Sequence, residues 1–125
     1  MLIVEDEPLT GLLLARAVAE RGVTACGPHA RGSEALAALA ERAPDAALLD
    51  VSLAGGTTSR EVADALAEAG VPFAFVTGYG PETAAVAAAH PAALVIPKPV
   101  DPETVGMLLD ELLARSGTGR AQGAA

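Results

Sequence analysis

Five short apolar runs alternate with five longer segments of helical character, and this alternation constrains the fold more than any other feature of the sequence. The runs cover residues 2–4, 23–26, 46–49, 73–76 and 93–96. Regular alternation of strands and helices predicts a parallel sheet with helices on both faces. The third, fourth and fifth runs are continuously apolar, which is typical of strands that are buried on both sides.

The predicted helices begin and end at residues that favour helix boundaries. Pro8 suits the first turn of the first helix, and Gly22 ends it. Thr58 or Ser59 is expected to cap the third helix, and Asp101 is expected to cap the fifth. The second to fifth helices are expected over residues 33–42, 60–69, 81–90 and 102–115.

Length, charge and cysteine content limit the class of protein. With 125 residues the chain is expected to form one domain over 1–115, followed by a flexible tail over 116–125. The net charge of −8 argues against binding to nucleic acid or to an anionic membrane. No apolar run reaches the ~18 residues of a membrane helix, so a cytoplasmic protein is expected. Cys26, the only cysteine, is expected to be a small buried residue.

Polar residues follow four of the predicted strands. Glu5 and Asp6 follow the first run, Asp50 the third, Thr77 the fourth and Lys98 the fifth. Since ligands bind outside the carboxyl ends of strands in open α/β sheets, these side chains are expected to meet. Clustered carboxylates repel one another unless a cation neutralises them, and Mg²⁺ prefers such oxygen ligands. Together with a lysine, the cluster suits phosphoryl transfer, in which an Asp carboxylate can accept the group.

Four motifs then suggest a family. They are Leu-Ile-Val-Glu-Asp-Glu-Pro at 2–8, Leu-Leu-Asp-Val at 48–51, Val-Thr-Gly at 76–78 and Pro-Lys-Pro at 97–99. In this order and spacing the chain resembles the receiver domain of two-component response regulators over residues 2–115. The resemblance implies a CheY-like, flavodoxin-like (βα)₅ fold, a doubly wound parallel sheet with strand order 2-1-3-4-5. It also implies a signalling domain of a bacterial phosphorelay rather than an enzyme.

The resemblance implies a role for each clustered residue. Asp50 would accept a phosphoryl group from a phosphohistidine on a sensor kinase or a histidine phosphotransfer protein. Glu5, Asp6, Asp50 and the backbone carbonyl of Ser52 would hold Mg²⁺. Glu7 is expected to be only a solvated residue at the start of the first helix.

The remaining implied roles concern the fourth and fifth units. Thr77 and Lys98 would contact the phosphoryl group, and the Lys98–Pro99 peptide bond would be cis. The segment 73–80 is similar to the Phe-Ala-Thr-Gly-hydrophobic-Tyr group of single-domain receivers. Val95 replaces the aromatic switch residue of many receivers, so Tyr79 is a candidate gate instead.

Several alternatives stay open at the level of sequence. A degenerate receiver would bind its partners without phosphorylation. An aspartate-nucleophile phosphatase would need Asp-x-Asp after the first strand, where this chain has Glu-Asp-Glu at 5–7. A flavin protein would need a phosphate loop and aromatic residues that the sequence lacks. A weak homodimer through the fourth and fifth units is compatible with the sequence, which does not distinguish a phosphate shuttle, sink or adapter.

Overall fold

A five-stranded parallel sheet organises the chain in the computed structural model, which describes residues 1–53, 58–78 and 80–116. The strand order is β2-β1-β3-β4-β5, so the predicted doubly wound topology is confirmed. The strands are β1 Leu2–Val4, β2 Cys26–His29, β3 Ala47–Leu49, β4 Phe73–Thr77 and β5 Leu94–Pro97. The helices are α1 Pro8–Glu20, α2 Gly32–Glu41, α3 Arg60–Glu68, α4 Pro81–Ala89 and α5 Pro102–Ser116.

The second strand lies three residues later than the sequence predicts, and Cys26 at its start is exposed rather than buried. The Cys26 amide donates to the Met1 carbonyl at 2.8 Å, and the Glu5 amide donates to the His29 carbonyl at 2.9 Å. β2 is an edge strand, where a proline such as Pro28 is tolerated and an apolar run is not required. Apolar patterning therefore misplaced this strand. It located β5, the other edge strand, but the residues of β5 are half-buried or exposed, so the expectation of burial on both faces was wrong there.

The core consists of two apolar layers, one on each face of the sheet. Alternate residues of a strand point to opposite faces, so Leu2 and Ile3 enter different layers. α2 covers the first layer through Ala35, and α3 covers it through Val62 and Leu66. α1 and α5 cover the second through buried residues that include Leu14, Val18, Leu109 and Leu112.

At two helical glycines, Gly11 and Gly106, a side chain from another segment lies against the helix backbone. A Cβ atom at Gly11 in α1 would lie 2.8 Å from Cγ of Pro28, a ring held in β2. A Cβ atom at Gly106 in α5 would lie 2.5 Å from a guanidinium nitrogen of Arg21, the far end of a flexible side chain. Arg21 pairs with Asp110 at 3.1 Å on the surface.

Helix α5 begins at the cap that the sequence predicts. The Asp101 carboxylate accepts hydrogen bonds from the Glu103 amide at 3.2 Å and the Thr104 amide at 3.3 Å. A hydrogen bond from the Thr104 hydroxyl, together with these two backbone bonds, lowers the pKa of Asp101. The helix continues through Ser116, and the rest of the expected tail lies outside the described residues. Among the described residues, every helix is too short or too polar to cross a bilayer.

Candidate functional site

The carboxyl ends of the parallel strands open into a cleft of about 660 Å³. Asp50 follows β3, Thr77 ends β4 and Lys98 follows β5, and all three line this cleft. Asp6 and Glu7, from the loop between β1 and α1, line it as well. The topology thus brings residues from four separate strand ends to one place, as the sequence predicts.

Three carboxylates form the acidic part of the site. One oxygen each of Glu5, Asp6 and Asp50 lies within 4.8 Å of the others. Glu5 is 3% exposed and Asp50 is 5% exposed, whereas Asp6 is half-buried. Like charges at this spacing and burial repel strongly, so the cluster needs compensating positive charge.

Lys98 supplies positive charge within the structure itself. Its Nζ donates to Asp50 Oδ2 at 2.9 Å, to Glu5 Oε2 at 3.1 Å and to Glu7 Oε1. Burial works to lower the pKa of Lys98, but the hydrogen bonds to Glu7, Asp50 and Glu5 outweigh it and hold the pKa above its ordinary value. The ammonium group therefore stays charged and is fixed at the centre of the acids.

The Glu5 carboxylate is buried, and its negative charge is only partly compensated by its neighbours. Burial raises its pKa to about 7, with a further contribution from Asp50, while the Glu7 amide and Lys98 oppose the shift. Its Oε1 lies 3.0 Å from Lys98 Nζ but accepts no hydrogen bond from the described residues. A buried carboxylate oxygen without a hydrogen bond, beside two further carboxylates, fits the all-oxygen coordination that Mg²⁺ prefers.

Thr77 is tied to the first turn of α4. Its hydroxyl lies 3.4 Å from the hydroxyl of Thr83, which itself donates to the Gly78 carbonyl at 2.8 Å. A hydroxyl has one proton, so Thr77 is the donor to Thr83. The sequence analysis did not identify Thr83. Thr83 could have been identified from its hydroxyl and its position, six residues after Thr77 and near the start of the predicted fourth helix.

The structure describes two further predicted features of the site, Ser52 and the Lys98–Pro99 peptide bond, but not Tyr79. Ser52 lines the cleft and forms an isolated antiparallel bridge with Thr58. The Lys98–Pro99 peptide bond is cis. The predicted gate, Tyr79, lies outside the described residues. Glu7 is exposed at the N-cap of α1, as predicted, but its carboxylate also accepts a hydrogen bond from Lys98, 91 positions away in sequence, which no local pattern encodes.

Comparisons with known proteins indicate one family. The model of the response regulator receiver domain family matches residues 1–110. SdrG from Sphingomonas melonis Fr1 is 36% identical with a TM-score of 0.74, and the alignment covers 92% of each chain. The PhyR receiver domain from Erythrobacter litoralis is 32% identical with a TM-score of 0.78, over 90% of this chain and 87% of that one.

A third similar structure is much longer than this chain. NtrX from Brucella abortus is 25% identical with a TM-score of 0.80, and the alignment covers 98% of this chain but 28% of NtrX. No curated protein sequence matches the chain. The family match over most of the length, on this fold and with this cluster of residues, shows that the chain belongs to the response regulator receiver domains of two-component signalling.

Proposed function

We propose that this receiver domain is a phosphoacceptor that takes a phosphoryl group onto Asp50 from a phosphohistidine. The observation that carries the proposal is the contact of 2.9 Å between Lys98 Nζ and Asp50 Oδ2, at the centre of the acidic cleft. Asp50 is held by backbone as well, because its amide donates to the Val4 carbonyl at 2.8 Å. The carboxylate is therefore placed beside a cation at the open end of the sheet.

The proposed reaction needs little beyond positioning and charge. A carboxylate oxygen of Asp50 attacks the phosphorus atom, an O–P bond forms, and the N–P bond to the donor imidazole breaks. The imidazole nitrogen keeps the bonding electron pair and takes up a proton. Lys98 stabilises the charge on the phosphoryl oxygens, which is the main catalytic requirement of phosphoryl transfer.

Mg²⁺ is the cofactor that the donor set supports. Glu5, Asp6 and Asp50 offer three carboxylates, and Oε1 of Glu5, which accepts no hydrogen bond from the described residues, is available as a ligand atom. The backbone carbonyl of Ser52 is the fourth proposed ligand. When bound, the cation would neutralise the acids and the phosphoryl oxygens.

Thr77 would report phosphorylation to α4. Its hydroxyl has one proton, which it now donates to Thr83. A phosphoryl oxygen on Asp50 is a stronger, charged acceptor, so we expect Thr77 to turn toward it and release Thr83. The change would alter the surface around α4, where protein partners could distinguish the two states.

Helix α1 offers a surface for the phosphodonor, a sensor kinase or a histidine phosphotransfer protein. Leu9 is 82% exposed and Leu12 is 65% exposed, although both are large apolar residues. The helix begins at Pro8, directly after the acidic loop of the site. A helix of the phosphodonor that binds this surface would hold its phosphohistidine beside Asp50. We therefore propose that the phosphodonor binds the exposed face of α1.

Intact mass measurement after incubation with acetyl phosphate tests the proposal. We expect a gain of one phosphoryl group that requires Mg²⁺ and disappears in Asp50→Asn. Asp45→Asn is the matched control, since Asp45 is exposed and lies just before β3, at the opposite end of the strand from Asp50. Labelling of Asp50→Asn would remove Asp50 from this role. The absence of labelling in every protein would favour a degenerate receiver that binds partners without phosphorylation.

A further inference from the structure

We infer that Glu7 is a positioning residue that holds Lys98 in the unmodified protein and competes with the phosphoryl group for it. The inference rests on the proposed phosphoacceptor function and adds a residue that controls it. Glu7 acts through Lys98, because its carboxylate contacts the ammonium group.

All three hydrogen-bond donors of Lys98 are directed at carboxylates of the described residues. An ammonium group has three N–H donors. In this structure Lys98 donates to Asp50 Oδ2, to Glu5 Oε2 and to Glu7 Oε1. Three donors and three acceptors leave no proton for a phosphoryl oxygen, so one of the three bonds must be given up before Lys98 can bind the incoming group.

Burial decides which bond is given up. The Glu5 side chain is fully buried, and its Oε2 also accepts from the Glu7 amide at 3.1 Å. The Asp50 side chain is 6% exposed and carries the incoming group itself. The Glu7 side chain is 59% exposed, so water replaces Lys98 as its partner at little cost. Glu7 is therefore the carboxylate that leaves.

Two consequences follow for the unmodified protein. Glu7 keeps Lys98 over the acids, and it adds a negative charge at the mouth of the cleft. Both effects oppose the arrival of a phosphoryl group, which is itself anionic. Loss of the Glu7 carboxylate should therefore favour the phosphorylated state by about two- to fivefold, the range expected for a mostly exposed ion pair.

The test uses beryllium fluoride, an analogue of the phosphoryl group, on the full chain in saturating Mg²⁺. Glu7→Gln removes the charge and keeps the size. Glu7→Ser removes the whole carboxylate and places a favourable residue at the N-cap of α1. Glu34→Gln is the matched control, since Glu34 is an exposed glutamate in the first turn of α2 that no described contact joins to Lys98.

We expect both Glu7 variants to bind beryllium fluoride about two- to fivefold more tightly than the parent and to be labelled faster by acetyl phosphate. Their affinity for Mg²⁺ alone, measured by calorimetry, should fall rather than rise, since each variant loses a negative charge near the cation. A merely structural role would affect both ligands alike. Unchanged or weaker binding of the anion would overturn the inference, and so would a parallel rise in the affinity for Mg²⁺, which would indicate a general effect on the site.

The same experiment separates this inference from the function on which it rests. If the parent protein binds beryllium fluoride and Asp50→Asn does not, the phosphoacceptor site is intact and only Glu7 is in question. If the parent protein binds no beryllium fluoride in saturating Mg²⁺, the phosphoacceptor proposal itself fails.

Discussion

Burial of Glu5 should make the stability of the Mg²⁺-free protein depend on pH in a distinctive direction. The pKa of Glu5 is raised from 4.5 to about 7 in the folded state. The folded protein therefore holds this proton more tightly than the unfolded chain does. Between these two values the folded state binds more protons, so its stability falls as the pH rises and then levels off above the folded pKa.

The size of the effect follows from the shift. One pKa unit corresponds to about 1.4 kcal/mol, so a rise from 4.5 to about 7 predicts a loss of about 3 kcal/mol across that interval. The Glu5 side chain is fully buried, so solvent screens its interactions only weakly. Titration of Lys98 does not change the stability in this pH range. Its raised pKa contributes stability that is fully present below about 10.4 and is lost only above that pH.

Urea denaturation from pH 4 to pH 8 in the presence of a chelator measures the effect. Glu5→Gln cannot titrate, so its free energy of unfolding should exceed that of the parent by an amount that grows by about 3 kcal/mol between pH 4.5 and 7. Glu34→Gln, at an exposed glutamate in α2, serves as the control. A constant difference between Glu5→Gln and the parent across the range would refute the reasoning. Saturating Mg²⁺ should reduce the growth, since its ligands must be ionised.

Three further predictions concern docking, signalling and packing. Leu9→Ala with Leu12→Ala should slow transfer from a cognate phosphodonor protein but leave labelling by acetyl phosphate unchanged; slowing of both would contradict a docking role. Thr83→Val should keep Asp50 labelled but reduce the NMR shifts of α4 amides on phosphorylation, and undiminished shifts would exclude the relay. Gly11→Ala should destabilise the fold in urea by about 1–2 kcal/mol through its clash, whereas Gly106→Ala should be nearly neutral, because only a flexible side chain must move; equal effects would contradict this packing argument.

Much of the fold was predictable because its signals are local. The strands β3 and β4 are buried on both faces, so their sequences are continuously apolar and their positions follow directly. The cap at Asp101 and the proline at the start of α1 are likewise properties of a few neighbouring residues. Strand β2 was misplaced because an edge strand imposes no such apolar pattern.

The sequence alone determined which residues could form the site. Strand ends of a parallel sheet converge, so Glu5, Asp6, Asp50, Thr77 and Lys98 could be grouped from their positions after the apolar runs. This grouping needs only the order of the elements, which short-range patterns encode.

Only the tertiary structure decided how those residues share protons and charge. The Lys98 ammonium reaches Glu7, 91 residues away, and Thr77 donates to Thr83 across the start of α4. Burial of Glu5 to 3% exposure raises its pKa, and no described residue donates a hydrogen bond to its Oε1. Such properties depend on distances and solvent exposure between segments far apart in sequence, and those quantities exist only once the chain is folded.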